Sequence, residues 1–163
     1  MTVWVATVVL AATGLVLGGL VLAGVRVRRS RLRVTVAGES MAPALRPGQV
    51  VIARRVTGPG ELRTGDVVVL VKPECPGDWR WPEPGPVSGG AWLLKRLAAL
   101  PGDPVPPGVA RALGVCGVVP EGAAVVLGDN TAASVDSRDF GFVPVDRLIA
   151  HVPAEAHGDP RRR

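Results

Sequence analysis

The sequence contains no tyrosine, only two phenylalanines and two histidines in 163 residues, and 4% aromatic residues overall. Proteins that hold single-stranded nucleic acid stack bases on aromatic side chains set among basic ones. That interleaving is missing, so the net charge of +5 does not point to nucleic acid. His151 and His157 both lie near the C-terminal end, and a Ser-His-Asp triad would have to draw its base from a fraying tail. The few His and Cys side chains have no zinc-ligand spacing, and we expect neither metal nor cofactor. Cys75 and Cys116 are the only cysteines. In an oxidising compartment they could pair, and otherwise they are structural thiols; spacing alone does not decide. Lysine is scarce as well: of 19 Lys and Arg side chains only Lys72 and Lys95 are lysines.

What the chain has in abundance is apolar surface, 47% of residues. The run Val3 to Val25 carries no charged side chain, and at about 1.5 Å per residue it spans roughly 34 Å, enough for a bilayer core. It is long for the apolar core of a cleaved leader and lacks a basic lead-in, so residues 3–25 are predicted as a retained transmembrane anchor, with a leader removed near the small residues Ala23 and Gly24 as the alternative. Arg26, Arg28, Arg29, Arg31 and Arg33 follow it directly, a basic juxtamembrane segment (26–33) suited to anionic lipid headgroups.

Residues 34–152 then form a domain of short strands. Leu32–Val36 alternates apolar with polar residues, and Gln49–Val56 and Asp66–Lys72 are valine-rich and follow Pro/Gly-type turns. Residues 73–90 are half Pro or Gly and are read as a long loop. Ala91–Leu100, Gly122–Leu127 and Phe142–Val152 are further strands, and 153–163 is a polar tail predicted to be disordered. Helix is expected only as the anchor and a short turn near Ser40. The class is mostly β.

Chemistry narrows by elimination. Arginine stays protonated and cannot act as a base, whereas lysine can once burial lowers its pKa. Lys95 follows Trp92-Leu93-Leu94 and precedes Leu97, an apolar setting; Lys72 borders the Pro/Gly loop and is read as solvated. Ser40 lies between Gly38 and Pro43 in a turn that could present its hydroxyl, although most turn serines serve only turn geometry.

Four ordered blocks sharpen this. Gly38-Glu39-Ser40-Met41-Ala42-Pro43-Ala44-Leu45, Thr64-Gly65-Asp66-Val67-Val68-Val69, Leu94-Lys95-Arg96 through Pro101-Gly102-Asp103, and Gly128-Asp129-Asn130 through Ser134-Val135-Asp136-Ser137-Arg138-Asp139-Phe140-Gly141 resemble the boxes of the type I signal peptidase family, in the family's order. The resemblance implies a signal-peptidase-like catalytic β domain behind a single N-terminal anchor. It implies Ser40 as nucleophile and Lys95 as general base, a Ser-Lys variant of triad logic. Ser134 would orient the lysine amine, Asp136 and Arg138 would brace the active-site turn, Gly128 and Asp129 would shape the backbone near the lysine, and Met41 would pack under the nucleophile. Three positions depart from the pattern. Gly38 stands where some members have a hydroxyl that helps bind the oxyanion, leaving that task mainly to the Ser40 N–H; Ala44 replaces a threonine and Thr131 an arginine.

By the same resemblance, an extended substrate strand would lie along Leu32, Val34 and Val36 and along Trp92, Leu93 and Leu94. The substrates would be signal peptides of secretory precursors, and the enzyme a monomer in the plasma membrane. Trp79, Trp81 and Trp92 are candidates for bilayer contact or for simple packing. The family places such a domain outside the cytoplasm, while the arginines after the anchor favour the opposite side by the positive-inside rule; the extracytoplasmic side is adopted. A dedicated protease for one precursor and an inactive membrane-anchored binding protein are the alternatives.

Overall fold

The computed structural model describes residues 30–73, 79 and 92–153. Seven strands form one sheet: β1 (Arg31–Thr35), β2 (Val50–Arg55), β3 (Val67–Val71), β4 (Trp92–Ala99), β5 (Ala123–Leu127), β6 (Val143–Pro144) and β7 (Leu148–Val152), in the spatial order β1-β2-β7-β3-β4-β5-β6. From β2 across to β6, neighbouring strands pair antiparallel. The mostly β class read from the sequence is the observed one.

β3 explains the arrangement. Its residues Val67 to Val71 are all buried, so it shows none of the alternation of a strand with one wet face. Val67 and Val69 face a core built with Val34, Val36, Met41, Leu45, Ala53 and Ala150. Val68 and Leu70 face a second core with Leu62, Leu97, Ala124, Val126, Phe140 and Leu148. A third cluster, around Val105, Val109, Val119 and Val125, lies beyond the far end of β4. Trp79 packs edge-on against Phe140, with ring centroids 5.5 Å apart.

Several expectations need amendment. Helix α1 (Pro107–Leu113) starts behind Pro106 and stops at Gly114, which is left-handed at φ 65°. A single turn, α2 (Ser137–Phe140), follows Asp136. The sequence reading held neither. The strand expected over Phe142–Val152 is broken into β6, a 3-10 turn over Val145–Arg147, and β7. His151 is not in a fraying tail: it is buried in β7, and its Nδ1 lies 3.1 Å from the Asp66 carboxylate. β1 takes in the last three residues of the basic 26–33 segment. The expected anchor (3–25), Cys75, Trp81 and the 154–163 tail lie outside the described residues, as does the 73–90 loop apart from Pro73 and Trp79; among those described, no helix is long and apolar enough to cross a membrane. Cys116 is an exposed free thiol.

Because Leu70 is fully buried in the second core, Leu70→Ala should lower unfolding stability by about 2–5 kcal/mol. Chemical denaturation of the two proteins checks this, and an unchanged midpoint would contradict the two-sided burial of β3.

Candidate active site

Ser40 is set by its successor. The turn after β1 is closed by Ala42 N–H to Glu39 O (3.0 Å) and Leu45 N–H to Met41 O (2.8 Å). Met41 and Leu45, each 1% exposed, plug into the first core. With Glu39 exposed and Met41 buried, Ser40 is left half-buried at the surface. Its carbonyl accepts the Asn130 N–H at 3.0 Å, which ties the turn to the segment after β5.

Lys95 owes its place to strand alternation. Leu93 and Leu97 pack with the second core and Trp92 and Leu94 with the first, so Lys95 points to the second-core side, opposite Val68. It is 2% exposed. Burial holds the amine below its ordinary pKa; the Asp136 charge opposes this, Arg138 adds to it, and Asp139 opposes it. The Nζ donates to Ser134 Oγ at 3.0 Å.

Asp136 anchors the rest. Fully buried, its carboxylate accepts from Ser134 Oγ (2.8 Å), Gly128 N–H (2.9 Å) and the Arg138 N–H (3.2 Å). The Arg138 guanidinium adds two more bonds, from Nε (2.8 Å) and Nη2 (2.7 Å). Burial alone would raise the Asp136 pKa; the Arg138 side chain, the Gly128 N–H and the Ser134 hydroxyl outweigh it and hold the carboxyl below its ordinary value. Asp136 also caps α2 in a reciprocal box with Asp139, whose side chain accepts the Asp136 N–H at 2.9 Å. Since the one Ser134 proton goes to Asp136, Ser134 can only accept from Lys95. In its neutral form the amine would keep its lone pair for another partner.

Gly128 is where these parts meet. A Cβ there would lie 2.1 Å from Ser134 Oγ and 2.7 Å from the Ser40 carbonyl, so only glycine lets the two loops approach. Its neighbour Asp129 takes a two-pronged ion pair from Arg96, Nε at 2.7 Å and Nη2 at 2.6 Å, and Arg96 Nη1 donates to Gly65 O at 2.7 Å. Arg96, buried beside Lys95, thus clamps β4 to the loop after β5 and to the turn before β3.

Ser40 and Lys95 open on one cavity of about 440 Å³, lined by Gly38, Glu39, Ser40, Lys72, Pro73, Leu93, Lys95, Ala133, Val135, Asp139 and Phe140. Of the expected substrate-contacting residues, Leu93 lines it; Leu32, Trp92 and Leu94 pack against the first core, and Val34 and Val36 are buried within it. The pairing of β4 with β5 runs from Arg96 to Ala99. Among the described residues the strand pairing of Trp92–Lys95 is with β3, and β1 lies at one edge of the sheet. Sequence reasoning missed Asp139, Arg96 and the Asn130 N–H. The first was legible, since Asp136 and Asp139 have capping-box spacing; the other two depend on contacts between distant segments. No metal-holding group of His, Cys, Asp and Glu occurs among the described residues.

The protein belongs to the family described as signal peptidase, peptidase S26, whose profile matches residues 2–107 and 108–155. Similar proteins include the mitochondrial ATP-independent inner membrane protease subunit 1a of Arabidopsis thaliana, 33% identical over 67% of this chain and 60% of that protein. The mitochondrial inner membrane protease subunit 2 of Mus musculus is 32% identical over 71% of this chain and 61% of its own length. Subunit 1 of Schizosaccharomyces pombe is 29% identical over 76% and 72%. The matches thus span about three fifths of the first two relatives.

A lysine whose folded pKa is depressed binds fewer protons folded than unfolded. Stability therefore rises with pH between the folded value and the unfolded one, near 10.4. Lys95→Met, which fills the site without a charge, should be more stable than wild type at pH 6, and the gap should narrow toward pH 10. Urea titrations at both pH values measure it; a gap independent of pH would mean that the amine is not held neutral by burial.

Proposed function

We propose that this protein is a membrane-bound serine endopeptidase that cuts signal peptides from exported precursors. Ser40 is the nucleophile and Lys95 the general base. The observation that carries this reading is the buried Lys95 amine, oriented by Ser134 and opening on the same cavity as Ser40.

The chemistry follows from the donors and acceptors. As Ser40 Oγ forms a bond to the scissile carbonyl carbon, neutral Lys95 takes its proton and the carbonyl electrons move to oxygen. The Ser40 N–H, which makes no backbone hydrogen bond among the described residues, is available to that oxyanion, and Gly38 offers no side chain to help. Collapse breaks the C–N bond while Lys95 returns the proton to the leaving amine. Water then attacks the acyl-enzyme with Lys95 again as base, and Ser40 leaves with the proton. The free side of Trp92–Lys95 suits an extended peptide added as a strand, and a shared membrane raises the effective concentration of anchored substrate and enzyme. On this reading the protein is a monomer, passes once through the plasma membrane by residues 3–25, and holds its catalytic domain on the extracytoplasmic side.

A second reading keeps the chemistry but narrows the substrates to a dedicated set of precursors. Likeness to proteins named as inner membrane protease subunits favours it, and cleavage of a panel of secretory precursors separates the two. An inactive binding protein would have no use for Ser40, Lys95 and Ser134 together, and all three are present.

In a precursor-cleavage assay, Ser40→Ala and Lys95→Ala should each lose at least about 10³-fold in rate, as removal of a nucleophile or its base does elsewhere. Lys95→Arg should be equally inactive because arginine stays protonated. Wild-type activity should fall as pH drops through the depressed Lys95 pKa and the amine gains its proton; a rate flat from pH 9 to 5 would refute a lysine base. Gly128→Ala should cost about 10²-fold, the effect of displacing reacting groups by an ångström, and a fully active folded variant would contradict the close approach of Ser134 and Ser40.

A further inference from the structure

The catalytic scheme leaves one cation of the cavity unused. Lys72 lies just past the end of β3, and the two-residue period of that strand puts it on the side of Val68 and Leu70. These two stand opposite Lys95 and Leu93 in the β3–β4 register. Lys72 therefore lies four residues along β3 from the position facing Lys95, about 13 Å at strand rise. It is exposed, lines the same cavity as Ser40 and Lys95, and forms no hydrogen bond or ion pair among the described residues. Neither of the cavity's two carboxylates forms an ion pair with it among the described residues: Asp139 accepts the Asp136 N–H, and Glu39 sits beside Ser40.

We propose that Lys72 makes this cleft selective for precursors that carry a carboxylate side chain three to five residues from the peptide bond being cut. The proposal rests on the peptidase reading above. An extended peptide advances about 3.3 Å per residue, so 13 Å corresponds to about four residues, with one either way for side-chain reach. The wall between the two lysines is apolar, through Leu93 and Pro73. A peptide lying over it displaces water, and a carboxylate opposite Lys72 then gains more than an ordinary surface pair does. Glu39, at the Ser40 end, disfavours the same charge next to the cut. The cleft thus distinguishes an acidic residue at a distance from one at the scissile bond.

The test uses the full-length chain and peptides carrying Asp, Ala or Lys at each of positions three to five on either side of one cleavage site. At one position wild type should cleave the Asp peptide about fivefold faster in kcat/KM than the Lys peptide. Added salt should shrink that ratio, Lys72→Glu should invert it, and Lys72→Gln should abolish it. A Lys72→Glu protein that still cleaves with the wild-type ratio at every position overturns the proposal. If wild type cleaves no peptide, the peptidase reading fails instead. Charge recognition is then read from binding of the same labelled peptides to the Ser40→Ala chain: an Asp preference lost on adding Lys72→Glu supports it, and equal binding overturns it.

Discussion

The site depends on keeping the Asp136 carboxylate charged in a place without water. An isolated buried carboxylate is costly, and five hydrogen bonds from Gly128, Ser134 and Arg138 offset that cost. Each donor is fixed by the bond it makes. Ser134 has its single proton committed, the loop at Gly128 is held against the turn that carries Ser40, and the first turn of α2 is capped. The lysine amine, two bonds away, inherits its direction from this chain of commitments. Without the Arg138 side chain the carboxyl would be drawn toward its neutral form, and a neutral Asp136 no longer demands the Ser134 proton.

Lys95 and Asp136 represent opposite solutions to burial. Asp136 keeps its charge because partners surround it; Lys95 has one hydroxyl and a mostly apolar surrounding, and its pKa falls. The neighbouring residue gives the contrast within a single strand. Arg96, also buried, turns to the other side of β4 and finds a carboxylate and a carbonyl in the geometry its fork requires. One step along the chain changes a permanently charged brace into an amine whose charged form burial disfavours.

Much of this was legible as residue types in order. The blocks around Ser40, Lys95 and Ser134–Arg138 carry the donors and acceptors that the geometry uses, and the apolar neighbours of Lys95 announced its burial. Valine-rich runs after Pro/Gly turns, one alternating stretch (Leu32–Val36) and one apolar run (Ala91–Leu100) located five of the seven described strands to within a residue or two. Legibility failed wherever an element depends on distant partners. α1 buries only Val109, so its seven residues carry no apolar stripe, and only Pro106-Pro107 and Gly114 marked its ends. Phe142–Val152 reads as one apolar run, yet Pro144 lacks an N–H for pairing and the chain turns before β7. His151 was placed in a tail because it is near the end of the sequence; its partner Asp66 is 85 residues away, a separation that no local pattern reports.

β7 decides when the sheet can close. β7, the last of the described strands in sequence, inserts between β2 and β3, so β2 and β3 have no direct hydrogen-bonded contact with each other. While the chain is being synthesised, the half carrying Ser40 and the half carrying Lys95 cannot close into one sheet until residues 148–152 have emerged. The Ser40 turn and the Lys95 strand thus share a sheet only through a strand that is made after both of them.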